Sequence, residues 1–283
     1  MDYNTMIDRI GETRKRWSNS NKTGPTYEEL LLKGNGYWQN LNRLTQTQLE
    51  IDIIDKFLNS PKWLCHLALP KDGPKRIPML QNLMACLQNT PKYYSALNAY
   101  KLENVNFADL IAIDGHQIPI IFAIDDLYTM FLKVGNTFSR VAASKLMNLA
   151  LPDLFMMWDN NILDDIYNTP RQTPFNSSLE KKRIRSYISF LILMQENINH
   201  IKKTCPPGIE ENWSRLLANI NQVSGYRNFP LPLPRLLDIA NYSLDEITKC
   251  KVCLNGANTT ISNLQSIPFL NSRLSSMKIG VFQ

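Results

Sequence analysis

The sequence predicts an all-α protein, a two-lobed helical bundle built around a central helix-hairpin-helix. Apolar residues recur at three- and four-residue spacing through most of the chain, the period of a helix with one buried face. Proline and glycine clusters punctuate it at intervals that suit helices with short connectors. No two alternating runs around a hairpin turn compete with that pattern. With 283 residues the chain can bury a core large enough for one big domain or two packed lobes. The punctuation allows roughly ten to twelve helices.

Residues 1–24 read as a basic N-terminal arm, because Arg9 to Lys22 is polar and basic with a Ser/Asn cluster. Such a segment is ordinarily a solvated tail; contact with phosphates is the alternative. The helical domain then covers 25–250. Thr26 caps a helix with Glu28 and Glu29 in its first turn, and Lys33-Gly34-Asn35-Gly36 closes it. Leu41, Leu44, Leu49, Ile53, Ile54 and Phe57 form the next helical stripe, which runs into Pro61. A Pro/Gly/Lys loop from Pro70 to Pro78 is the clearest break in this half. Met79 to Gln88 is helical, and Thr90-Pro91 supplies a cap and a first-turn proline for a helix to Ala99.

Leu102 to Ala108 is irregular, and Asp114-Gly115-His116 marks a turn. Ile118 to Phe122 has the β-branched content of a strand. However, Ile120, Ile121, Ile124, Leu127, Tyr128 and Phe131 keep helical spacing, so helix is predicted from Pro119. After a loop from Thr169 to Ser178, Glu180 to Lys203 is the longest periodic helix, ended by Pro206-Pro207-Gly208. Trp213, Leu216, Leu217 and Ile220 give a short amphipathic helix. Phe229 to Pro234 is an extended rigid connector, since a residue before proline is pushed out of the helical region. Leu236 to Tyr242 and Leu244 to Cys250 are helical. Residues 251–283, Asn/Ser-rich after Gly256 and with little period, form a C-terminal extension.

Thirty-one Lys and Arg face 25 Asp and Glu, a net charge of +6 that is compatible with nucleic acid without requiring it. The five cysteines are odd in number and sit in helical or apolar context, which predicts reduced thiols and a cytoplasmic protein. The longest apolar run, Ile188 to Met194, is far too short to span a bilayer, and the charged beginning of the chain lacks an apolar leader, so no membrane association is expected. Cys250 and Cys253 form one C-x-x-C without a second pair. A metal would need Cys205 or His200 as well, and neither metal nor cofactor is expected. His66, His116 and His200 have no nucleophile or acid at motif spacing. There is no phosphate-cradling glycine loop, H-E-x-x-H or paired-acid signature.

Chemistry concentrates between Leu127 and Tyr167. The order is helix, a turn at Lys133-Val134-Gly135-Asn136-Thr137, a helix from Phe138 to about Leu149, a connector through Pro152, and Asp159. Gly135 supplies the positive φ that a tight helix-helix turn needs. Such a turn leaves the first amides of the following helix pointing outward, ready to hold a phosphate oxygen. Ala142, Ala143 and Ser144 allow close helix approach. Met156, Met157 and Trp158 bury the connector, and Asp159 is suited to cap the next helix, with its carboxylate at that helix's positive end.

This stretch resembles the helix-hairpin-helix DNA glycosylase superfamily, in which a hairpin of the form L-P-G-V-G is followed by a helix and an essential aspartate at the start of the next one. Val134-Gly135 is similar to the end of that hairpin, and Trp158-Asp159-Asn160-Asn161-Ile162 to the helix start. The pattern from Ala143-Ser144-Lys145 to Met157-Trp158-Asp159 is similar to an uncharacterised microbial branch of the superfamily. The resemblance implies that Val134, Gly135, Asn136 and Thr137 hold the backbone of duplex DNA. It also implies that a base is flipped between the lobes and that Asp159 stabilises a cationic sugar or orients the attacking nucleophile. Lys133 and Leu132 stand where the family has glycine and often proline. Thr137 stands where lyases carry their lysine, so a monofunctional enzyme is expected, with Lys145, two turns on, as a candidate nucleophile only.

Lys133, Arg140, Lys181, Lys182, Arg183 and Arg185 are the possible basic contacts. The group from Lys181 to Arg185 sits at a helix start, where positive charge opposes the helix dipole. A solvated face is the ordinary explanation of such a group, and a plain cap of about 1 kcal/mol explains Asp159 equally well. The reading alternative to a glycosylase is a non-catalytic nucleic-acid-binding or protein-interaction module with the same fold. The lesion recognised and the oligomeric state are not written in the sequence.

Overall fold

The computed structural model describes residues 1–18, 38–39, 76–135, 140–158, 187–209, 212–226, 230–242, 250–277 and 279. Over these residues the chain is predominantly helical, as its periodicity predicts. Helix α1 spans Tyr3–Ser18, α2 Arg76–Asn89 and α3 Pro91–Leu97. A hairpin of β1, Leu110–Ile113, and β2, His116–Pro119, leads directly into α4, Ile120–Leu132. Then follow α5 (Arg140–Ala150), α6 (Tyr187–Thr204), α7 (Trp213–Val223), α8 (Leu233–Tyr242), α9 (Lys251–Ser266) and α10 (Pro268–Ser276).

The centre is apolar on nearly every side. In α4 only Asp126, Thr129 and Met130 escape full burial, and in α5 every residue after Arg140 is buried. A helix buried all round must lie inside the core. Residues Ala142, Ala143 and Ser144, each without exposed surface, let neighbouring elements approach it. Helix α6 is the second central rod, with Phe190, Leu191, Ile192 and Ile198 fully buried. Its Gln195 donates to the carbonyls of Leu102 and Val105, both at 2.8 Å. That fork satisfies backbone that the irregular Leu102–Ala108 stretch leaves without a helical partner.

Three sequence expectations are corrected. The arm expected to be loose over Arg9–Lys22 is helical as far as Ser18, while 19–22 lie outside the described residues. Met6 and Ile10 are fully buried, and Arg9 and Thr13 nearly so. Thr13 Oγ1 donates to the Ile239 carbonyl at 3.1 Å, and Tyr3 N–H donates to Thr204 Oγ1 at 3.0 Å, so α1 is tied to α8 and α6. The few apolar residues of α1 are spaced at three to four, which is enough for a narrow buried stripe under an abundance of surface charge. Ile10→Ala is expected to cost about 2–5 kcal/mol, read from the urea midpoint; a change within about 0.5 kcal/mol would return α1 to the status of a tail.

Residues 251–277, read as an extension with little period, are helical and packed. Helix α9 packs on α6 through Cys253, Ala257, Ile261 and Leu264, and α10 buries Leu270 and Leu274. In α9, Asn255, Thr259, Ser262 and Asn263 lie outward and mask the stripe. The third correction is the β-hairpin, where Leu110 pairs with Pro119 and Ile113 with His116. Helix was expected from Pro119 and begins one residue later, so only the strands were missed. Asp114 and Gly115 have φ of 51° and 78°, the two left-handed residues of a tight antiparallel turn. Gly115→Ala puts a side chain in that region and is expected to cost about 1–2 kcal/mol in a denaturant titration. Among the described residues no helix is long and apolar enough to cross a membrane.

Candidate functional site

The connector from Leu151 to Trp158 is non-helical backbone inside the core, with Leu154, Phe155, Met156 and Trp158 fully buried. Such a segment persists only if its polar groups are paired. Three side chains supply the partners. Asn148 Nδ2 on α5 donates to the Phe155 carbonyl. The Tyr187 hydroxyl on α6 accepts from Met156 N–H at 3.2 Å and donates to the Met156 carbonyl at 2.6 Å. Ser144 Oγ accepts from Trp158 N–H at 2.8 Å and donates to the Val141 carbonyl at 3.0 Å. From the other side, Leu102 N–H donates to the Asp153 carbonyl at 2.9 Å.

Rings complete the frame. Trp158 stacks on Phe190 at 5.6 Å and 2°, and Tyr128 stacks on Tyr187 at 4.7 Å and 15°. Tyr128 and Trp158 also meet at 6.2 Å. The Tyr128 hydroxyl is buried and has no hydrogen-bond partner among the described residues. Burial holds that phenol well above its ordinary pKa, so it is a neutral donor at any physiological pH. The Arg140 guanidinium lies 5.8 Å from the Trp158 ring centre, a cation–π arrangement at the beginning of α5.

The expected site residues fall into three groups. Asp159, Asn136, Thr137, Lys181, Lys182, Arg183 and Arg185 lie outside the described residues. Lys145 and Arg140 share α5, and Arg140 reaches the connector through Trp158. Lys145 is 5% exposed, which leaves almost no open approach for a sugar. Lys133, Val134 and Gly135 close α4.

Here the geometry corrects the sequence. Gly135 lacks the positive φ expected of it; among the described residues Gly115, Gly208 and Gly225 are the glycines that have it. At Gly135 a Cβ would lie 2.8 Å from the terminal methyl of Met79, the end of a flexible side chain that can shift to admit it. The Val134 amide, expected to face phosphate, donates to the Phe131 carbonyl at 3.1 Å, and its carbonyl accepts from Asn82 Nδ2 at 3.2 Å. The Lys133 amide is also spent inside the helix end, while its side chain is exposed.

Ser144, Asn148 and Tyr187 were missed as a set. Their signal is three polar residues on the buried sides of otherwise apolar helices, which a periodicity count treats as noise. A separate cavity of about 450 Å³ opens between α1 and the α6–α7 region, lined by Tyr3, Ile7, Asp8, Pro206 and Asn219. None of these residues carried a motif.

A further correction concerns the thiols. Cys250 and Cys253 are disulfide-bonded, against the expectation of five reduced cysteines, so thiol usage no longer argues for a compartment. Cys205 Sγ donates to the Lys202 carbonyl at 3.0 Å, and burial pushes the Cys86 thiol up to about 12. Among the described residues no group of three or more His, Cys, Asp or Glu side chains is placed to hold a metal ion. Comparison of the chain with protein-family models, with curated proteins and with solved structures finds no match.

Proposed function

We propose that this protein acts on duplex DNA as a monofunctional base-excision glycosylase, hydrolysing the N-glycosidic bond of a flipped base with Asp159 as the catalytic carboxylate. The observation that supports this reading is the fixing of the connector up to Trp158, whose N–H is held by Ser144 Oγ at 2.8 Å and whose ring is stacked on Phe190. The residue that precedes the proposed carboxylate in the chain is thus restrained. Preorganisation of that kind is what charge stabilisation in a transition state needs.

In this reading the aspartate favours the developing positive charge on the sugar as the base departs, and orients the water that takes its place. Lys145 has a supporting electrostatic role, because its 5% exposure leaves little room for attack on a sugar carbon. The unpartnered Tyr128 hydroxyl is a neutral donor beside the same aromatic frame.

The test is incubation of the protein with duplex and single-stranded DNA carrying a panel of base lesions, followed by alkaline cleavage of abasic sites. Products formed by the wild type and missing with Asp159→Asn support the proposal. Identical products from both proteins rule out Asp159 as the catalytic group. Binding to DNA with no abasic product from any lesion favours the alternative, a non-catalytic nucleic-acid-binding module. Borohydride trapping is expected to give no covalent adduct, with or without Lys145→Ala.

A further inference from the structure

We infer that Cys250 and Cys253 form a thiol–disulfide exchange site, whose substrates are external dithiols and disulfides. Cys250 is the N-cap of the 16-residue helix α9, and its sulfur accepts the Cys253 N–H at 3.3 Å. The Cα atoms are 5.2 Å apart, a separation that a disulfide bridges without backbone movement. The two sulfurs are unlike in access. Cys250 is half-buried, whereas Cys253 is 1% exposed and packed in the α9–α6 interface. Between them Lys251 is exposed and Val252 is 65% exposed, so the turn that Cys250 begins meets solvent.

This arrangement divides the chemistry between the two residues. A thiolate at Cys250 gains from the backbone N–H it accepts, from the positive end of α9 and from the adjacent Lys251, all of which favour the charged form. Cys253, shielded from solvent, is the resolving partner. As a structural brace the bond does little, because cross-linking residues three apart removes less chain entropy than closing a long loop. The interface it touches is already held by Ala257, Ile261 and Leu264.

In the oxidised state one thiolate of an external dithiol attacks Cys250 Sγ. The Cys250–Cys253 bond breaks, a mixed disulfide forms, and Cys253 leaves as a thiolate. The second thiol of the dithiol then attacks its own partner sulfur in that mixed disulfide, releasing Cys250. The external dithiol becomes a disulfide and loses two electrons and two protons. Both cysteines gain them and end as thiols. The reverse sequence, opened by the Cys250 thiolate, reduces an external disulfide.

The full-length native protein is equilibrated with dithiothreitol, quenched and alkylated, and the 250–253 peptide is read by mass spectrometry. The pair is expected to reduce completely in native buffer and to reoxidise on addition of oxidised dithiothreitol. Cys253→Ser and Cys250→Ser proteins, shown folded by circular dichroism, are then incubated with glutathione disulfide at pH 7. The Cys253→Ser protein is expected to acquire glutathione at Cys250 at least ~10-fold faster than the Cys250→Ser protein acquires it at Cys253. A smaller ratio, or a wild-type bond that resists native reduction, overturns the assignment. If either variant fails to fold, the wild-type reduction and reoxidation cycle decides alone.

Discussion

Asp159→Asn is expected to lower base excision by on the order of 10²–10⁴-fold, the range for removing a positioned acid–base or charge-stabilising group. Folding stability is expected to stay within about 0.5 kcal/mol of the wild type. Asparagine caps a helix about as well as aspartate does, so the substitution removes the charge and would keep the cap that the sequence predicts. The catalytic role proposed for Asp159 is thereby separated from the capping role that its sequence context predicts. Single-turnover rates on the best substrate of the lesion panel give the first quantity, and urea titration gives the second. A protein that loses neither activity nor stability is one in which Asp159 is no more than a cap, and the role assigned to it would be withdrawn. Asp159→Ala, which removes both, is expected to add a stability cost of about 1 kcal/mol.

Trp158→Ala is expected to destabilise the protein by about 3–5 kcal/mol, the range for truncating a large aromatic in a core. Trp158 has no exposed surface, and its ring meets Phe190, Tyr187 and Tyr128 at 5.6, 5.7 and 6.2 Å. The truncation leaves a cavity at the meeting point of α4, α5 and α6, where few neighbours can move in. Trp158→Phe keeps most of the volume and the stack on Phe190, and is expected to cost about half as much or less. Urea midpoints of the two variants against wild type provide the measurement. A loss below about 1 kcal/mol for the alanine variant would show that this cluster is not the core of the connector.

The central helices were legible in the sequence because burial leaves a period. Ile120, Ile124, Leu127 and Phe131 along α4, and Ile188, Leu191, Ile192 and Ile198 along α6, are the residues whose spacing predicted those helices and are buried there. The edges were less legible. Helix α1 hides two fully buried residues among charges, and α9 hides its stripe among Asn, Ser and Thr. A narrow stripe on a largely solvated helix gives a weak period whatever its stability. The site was legible as residue types but less so as geometry. Gly135 was read as the positive-φ residue of a tight turn, a conformation it does not adopt, and it packs beside the Met79 side chain instead. The pinning of the connector by Ser144, Asn148 and Tyr187 depends on residues as many as 31 positions apart, which no local pattern reports.

The position of α1 has a consequence for biosynthesis. Its partners in α8 enter the chain more than 200 residues later, as the Thr13-to-Ile239 bond makes plain. At roughly 5–20 residues per second of translation, Met6 and Ile10 wait on the order of ten to forty seconds before the surface that covers them exists. During that interval the nascent segment must rely on its own solubility. Its Arg, Lys, Glu and Asp residues meet that need before Arg14 reaches its place in the finished fold, where it donates to the Ser224 carbonyl and lies over the Tyr226 ring.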